Sequence, residues 1–144
     1  MSQFVWPIRV YYEDSDAGGV VYHSNYLNFM ERARTEWLRS LGFEQTELRE
    51  QMGVLFVVRS LQMNYRKPAK FNDALLINNR LLEIGRSLLK FEQVIKRGDE
   101  TLTEAVVDVV CIDAEKFKPV SIPTIIRTSM QSLVDNTLSP DTSH

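Results

Sequence analysis

Residues 11 to 38 read YYEDSDAGGVVYHSNYLNFMERARTEWL. An acid-rich turn carrying two consecutive glycines runs directly into a segment with helical periodicity. From about Ser24 to Leu41 the apolar side chains fall at Tyr26, Met30, Ala33, Trp37 and Leu41, with Leu27 and Leu38 alongside. Steps of three and four place them on one face of a helix. Ser24 is an expected N-cap, and Gly42 stands where helices commonly end. A shorter helical segment is expected from Glu44 to Gln51, stopped near Gly53.

Working outward, the stretch IRVYYED after Pro7 is rich in β-branched and aromatic residues and reads as a first strand, ended by the Asp-Ser-Asp-Ala-Gly-Gly cluster. Downstream, VLFVVRSLQMNYR, ALLINNRLLEI, SLLKFEQVIKR and TLTEAVVDVVCID are four successive β-type runs separated by KPAKFND, GR and GDE. In the third of these, Leu89, Phe91, Gln93 and Ile95 share one face. In the fourth, Ala105, Val107, Val109 and Cys111 do so. A short helix over Thr124 to Leu133 and a frayed tail follow. The order strand, one long helix, four strands predicts an α+β fold in which a five-stranded antiparallel sheet wraps around one long central helix. No repeat or linker divides the chain. Residues 1–134 are expected to form a single domain, with 135–144 a disordered tail. One helix covers one face of such a sheet, yet the strands carry apolar residues on their other positions as well. A homo-oligomer, a dimer or a dimer of dimers up to a homotetramer, is therefore expected.

The chain has 144 residues and a formal net charge of −2, which offers no broad attraction to nucleic acid or anionic lipid. No apolar run is long enough to span a bilayer, and MSQFVWPIRV lacks the pattern of a secretory signal, so a cytoplasmic protein is expected. The single cysteine, Cys111, lies in a strand-like run with no histidine nearby in sequence and reads as a buried structural thiol. No metal-ligand spacing is visible, the second histidine being the terminal His144, and no glycine-rich dinucleotide loop follows a strand.

The chemistry concentrates between Asp14 and the start of the helix. Taken alone, an aspartate in a turn before a helix is more often a cap or turn former than a catalyst. Asp14 reads as a solvated strand-end acid. Tyr22 is balanced between core aromatic and pocket wall, and the His23 ring between packing and substrate contact. Glu31 can simply pair with Arg34 along the helix. What the stretch also offers is a carboxylate, two glycines that allow a tight turn, and a helix N-terminus whose first amides lack internal partners. Those amides can hold a developing oxyanion, a contribution of about 3 kcal/mol per donor.

The series YEDSDAGGVVYHSNYLNFMERAR between first strand and helix resembles the hotdog-fold thioesterases, in particular the YbgC-type acyl-CoA thioesterases related to the 4-hydroxybenzoyl-CoA thioesterases. The motif covers about residues 9 to 38, and the element order matches from about 5 to 125. The resemblance implies hydrolysis of an acyl-CoA to a carboxylic acid and free coenzyme A, with short acyl chains favoured. Asp16 takes the place of the catalytic aspartate, as nucleophile or general base. The backbone N–H of His23 takes the place of the donor that polarises the thioester carbonyl. Glu31 falls where an acidic residue of the helix faces the acyl group, and Arg86, in EIGRSLL, falls where the coenzyme A phosphates are held; Tyr22 is nominated beside them as a substrate-binding pocket wall. No cofactor is implied beyond the coenzyme A of the substrate. The resemblance further suggests acyl carrier protein, phospholipid-synthesis enzymes and the Tol-Pal envelope system as partners. Two other readings stay open: a noncatalytic acyl-CoA or acyl-carrier-protein binding or interaction module, and a hotdog-fold enoyl-thioester hydratase.

Overall fold

A computed structural model describes residues 3–16 and 18–134. The tail expected at 135–144, including His144, lies outside the described residues. Five strands, β1 (Gln3–Arg9), β2 (Val54–Tyr65), β3 (Ala74–Ile84), β4 (Leu88–Arg97) and β5 (Glu100–Asp113), form one antiparallel sheet in the order β1-β3-β4-β5-β2. Three helices accompany it: α1 (His23–Ser40), α2 (Gln45–Glu47) and α3 (Thr124–Gln131). The longest, α1, has 18 residues. The architecture is α+β, as expected.

Packing follows from the alternation of the strands. Leu89, Phe91, Gln93 and Ile95 on β4 and Ala105, Val107, Val109 and Cys111 on β5 are the buried rows. They share a core with Tyr26, Phe29, Met30, Ala33, Trp37 and Leu38 of α1. Leu27, grouped with that face by spacing, is exposed instead. At the far edge Phe4 of β1 stacks on Trp37, ring centroids 5.8 Å apart.

The structure departs from the sequence reading in four places. The first strand lies earlier than IRVYYED, because Tyr12–Asp14 curl into a 3₁₀ turn. Pro7 is inside the strand, which an edge position permits: β1 pairs only with β3, and a missing N–H costs nothing on the free side. Second, α1 begins at His23 with Tyr22 as its N-cap residue, so Ser24 is in the first turn and is not the cap. Third, the helical segment expected over Glu44 to Gln51 is present and ends at Gly53, φ 65°, but only Gln45–Glu47 is α-helical, and Leu48–Met52 continue it as a π-turn. Fourth, only β3, β4 and β5 form a meander. β2 crosses to the opposite side and pairs with β5, leaving its other edge open.

That open strand carries exposed apolar side chains among the polar Arg59, Ser60, Gln62 and Asn64. Val57, Val58, Leu61 and Tyr65 are all more than a third exposed on a 12-residue strand. Long, unprotected edge strands of this composition are templates for pairing with another chain.

Candidate active site

The loop between β1 and α1 is built around its acids. The Asp14 carboxylate accepts from the Tyr11 amide at 2.9 Å and from Asn25 Nδ2 at 3.1 Å, while its carbonyl accepts from the Tyr22 amide at 3.1 Å. Asp14 thus ties the loop to the helix start, a structural task. Asp16 is held differently. Its Oδ1 accepts from the Gly18 amide at 2.8 Å and from the Val20 amide at 3.2 Å, while its own amide donates to the Val20 carbonyl at 2.8 Å. Oδ2 has no hydrogen-bond partner among the described residues. The side chain is exposed to solvent.

Both glycines serve this arrangement. A Cβ on Gly18 would stand 3.3 Å from Asp16 Oδ1, and Gly19 has φ 79°, a region that favours glycine. The Phe71 amide donates to the Gly19 carbonyl at 2.9 Å, which braces the turn against the β2–β3 connection.

At the start of α1 the His23 amide donates to no group among the described residues, as geometry requires of a first-turn N–H. The imidazole stacks on Tyr65 at the end of β2, centroids 4.5 Å apart and planes 14° from parallel. Burial, and then the neighbouring Tyr26, push the Tyr65 phenol above its ordinary range. Tyr26 is buried and its hydroxyl accepts from the Ala69 amide at 2.9 Å, anchoring the helix start to the β2–β3 connection. Tyr22 is half exposed, more wall than core.

Glu31 stands apart from this cluster. It lines a cavity of about 690 Å³ with Arg34, Leu38, Phe56, Val57 and Phe91, between α1 and the Leu55–Val58 end of β2. Asp16, Tyr22 and His23 do not line that cavity. Glu31 and Arg34 are not within ion-pair distance, contrary to the simple helix-face pair. Arg34 Nη1 donates instead to Gln93 Oε1 at 2.7 Å. Burial lowers the Arg34 pKa, opposed by the Glu31 charge.

Gln93 in turn donates to the Met30 carbonyl at 2.9 Å and to Asn79 Oδ1 at 2.6 Å, and Asn79 Nδ2 reaches the Phe4 carbonyl at 3.0 Å. Gln93 and Asn79 are both fully buried. This polar thread from cavity to β1 was not singled out in the sequence. Its signal was present: a glutamine in the apolar row of Leu89, Phe91 and Ile95.

Arg86 occupies a third location, the β3–β4 turn, where its Nε donates to Ser121 Oγ at 2.9 Å. Within one chain, then, the residues nominated from sequence fall into three places. Of the other basic residues near the strands, Arg59, Arg66 and Lys67 pair with Asp108, Glu104 and Glu100 on or at the start of β5. Cys111 is fully buried and its thiol is pushed up to about 11 by burial, as suits a structural thiol. Among the described residues no group of histidine, cysteine and acidic side chains could hold a metal ion, and no helix is long and apolar enough to cross a membrane.

A five-stranded antiparallel sheet packed on one principal helix is the hotdog architecture. The chain belongs to the thioesterase superfamily, whose family model matches residues 18–104. It is 45% identical over 130 residues to the acyl-CoA thioesterase YbgC of Haemophilus influenzae, covering 90% of this chain and 96% of that protein. It is 46% identical over 124 residues to the acyl-CoA thioester hydrolase YbgC of Escherichia coli, covering 85% and 92% respectively. Among solved structures, a probable thioesterase from Bartonella henselae superposes with a TM-score of 0.80 at 37% identity, over 84% of this chain and 99% of that one. A 1,4-dihydroxy-2-naphthoyl-CoA thioesterase from Synechocystis, TM-score 0.83 at 22% identity over 91% and 97%, shares the fold.

Proposed function

We propose that the protein hydrolyses acyl-CoA thioesters to a carboxylic acid and free coenzyme A, with Asp16 as the catalytic carboxylate. The observation that carries this reading is the asymmetry of Asp16. One oxygen is held by two loop amides, while the other has no hydrogen-bond partner among the described residues and the side chain is exposed. Oδ2 either removes a proton from the water that attacks the carbonyl carbon, or attacks that carbon itself to give an anhydride that water then opens. In both cases the C–S bond breaks, sulfur leaves as the thiolate, and the His23 amide faces the carbonyl oxygen as negative charge develops on it. Tyr22 walls the entrance, Glu31 faces the acyl group, and Arg86 binds a coenzyme A phosphate. Short acyl chains are favoured over long ones. The names of the YbgC relatives support the substrate class.

The working unit is a homo-oligomer, in our reading a dimer, alone or paired into a tetramer, joined along β2. The open edge supports this, and so does the distribution of the site along that strand. His23 stacks at the Tyr65 end, whereas the Glu31 cavity lies at the Leu55–Val58 end. Antiparallel pairing of two β2 strands about a two-fold axis sets the first end of one copy beside the second end of the other. The carboxylate loop of each copy then faces the cavity of its partner. The protein is placed in the cytoplasm, with acyl carrier protein, phospholipid-synthesis enzymes and the Tol-Pal system as candidate partners.

The test is release of thiol, followed with a chromogenic reagent, from short, long and aromatic acyl-CoA esters. Saturable turnover of the short esters is expected. Binding without thiol release would favour a noncatalytic module, and loss of enoyl absorbance without thiol release would favour a hydratase.

A further inference from the structure

Two cations line the large cavity, and Arg34 is the less exposed of them. Arg39, the other, is exposed and paired with Glu36 and Glu44. Of the five N–H donors of a guanidinium, Arg34 uses one, on Gln93 Oε1, and no carboxylate among the described residues lies within 4 Å of it. The neutral Gln93 and Asn79 amides behind it fix its position without offsetting its charge. The wall combines apolar side chains, among them Leu38, Phe56, Leu89 and Phe91, with polar ones, among them Thr35, Glu44 and Gln45. A fixed, half-buried cation with free donors is costly unless an anion completes it. Glu31 is on the same wall, exposed to solvent and beyond ion-pair distance, and its charge only partly opposes the effect of burial on Arg34.

We propose that Arg34 is a specificity residue that recognises a carboxylate at the far end of the acyl group, so that the cavity accepts mono-CoA thioesters of dicarboxylic acids. This rests on the thioesterase reading above and names its substrate class. An apolar stem lies along Phe56 and Phe91, and the terminal carboxylate receives the unused guanidinium donors in a charge-assisted pair. The desolvation that lowers the Arg34 pKa agrees with a cation lacking full compensation. Arg34 is eleven positions beyond His23 on α1, about 16 Å along the axis. A short acyl group therefore enters from the carboxylate loop of the second copy, across the paired β2 edge.

Glutaryl-CoA and pentanoyl-CoA have the same chain length and differ in the terminal group. Binding of each to full-length Asp16→Asn, and to that variant carrying Arg34→Met or Arg34→Lys, is measured by calorimetry. Wild-type turnover of both esters is followed in parallel, and circular dichroism checks each variant for folding. The expected result is glutaryl-CoA bound at least about tenfold more tightly than pentanoyl-CoA. Arg34→Met should bring the two within about twofold, and Arg34→Lys, which keeps the charge and a donor for Gln93, should retain part of the preference. Equal binding of the two esters, or a preference that survives Arg34→Met, overturns the assignment of Arg34 while wild-type hydrolysis of pentanoyl-CoA leaves the thioesterase reading standing. Absence of thiol release from both esters overturns hydrolysis, while a binding difference that depends on Arg34 still upholds the cavity assignment.

Discussion

At the scale of single residues, the loop works because each acid has one task. Asp14 spends both oxygens on tying the loop down, and Asp16 spends one. Gly19→Ala forces a side chain into a left-handed conformation and is expected to cost about 1 kcal/mol of stability, measured by urea unfolding, with turnover falling further than stability accounts for. Arg86 is bonded through Nε to Ser121, outside the cavity and the carboxylate loop. Arg86→Ala is expected to raise KM for acyl-CoA more than it lowers kcat, because a phosphate contact remote from the carbonyl binds ground and transition state alike. Cys111 bears on the assay itself. Its buried thiol, with pKa about 11, should stay silent to a chromogenic thiol reagent at pH 8 in the native protein and react as one thiol per chain once unfolded. Because the neutral thiol is favoured in the fold, the unfolded chain loses this proton first as pH rises. Its contribution to stability is present below the ordinary thiol pKa and lost as pH climbs towards about 11.

At the scale of elements, the join between α1 and the sheet combines a large apolar face with one polar thread. Gln93 touches the helix carbonyl of Met30, the Arg34 guanidinium and Asn79. Gln93→Leu leaves those partners buried and unpaired, and a loss of about 2 kcal/mol in chemical denaturation is expected. The strands β3, β4 and β5 were legible almost to the residue, since their alternation is regular and their turns carry glycine. The face of α1 was legible for the same reason. The edge strand β1 was misplaced, because aromatic residues at Tyr11 and Tyr12 imitate a strand while they form a turn, and because Pro7 argues against a strand only where both edges are paired. The N-cap was misread by two positions, since Ser24 has the chemistry of a cap but Asp14 and Asn25 set the chain direction two residues sooner, at Tyr22. The polar thread required knowing which strands adjoin, and periodicity alone does not carry that.

At the scale of the whole molecule, His23 lies at the Tyr65 end of the open strand β2 and the Glu31 cavity at its Leu55–Val58 end. Asp16 and His23 were legible as parts of one loop-to-helix segment because they are close in sequence. That Glu31 lines a cavity with Leu55–Val58 was not, because it depends on where β2 joins the sheet. Val58→Lys places a charge at an exposed apolar position of β2 and is expected to convert the proposed dimer to a folded monomer in sedimentation analysis, with loss of turnover. A folded monomer with full activity would mean that each chain carries a complete site. The measurement that bears most directly on the proposed chemistry is thiol release from a short-chain acyl-CoA by wild type and Asp16→Asn side by side, with melting temperatures recorded for both. A loss of at least about 100-fold in turnover with an unchanged melting temperature is predicted. Turnover that persists in Asp16→Asn, or a variant that loses its fold, would show that Asp16 is a turn former and that the catalytic carboxylate lies elsewhere.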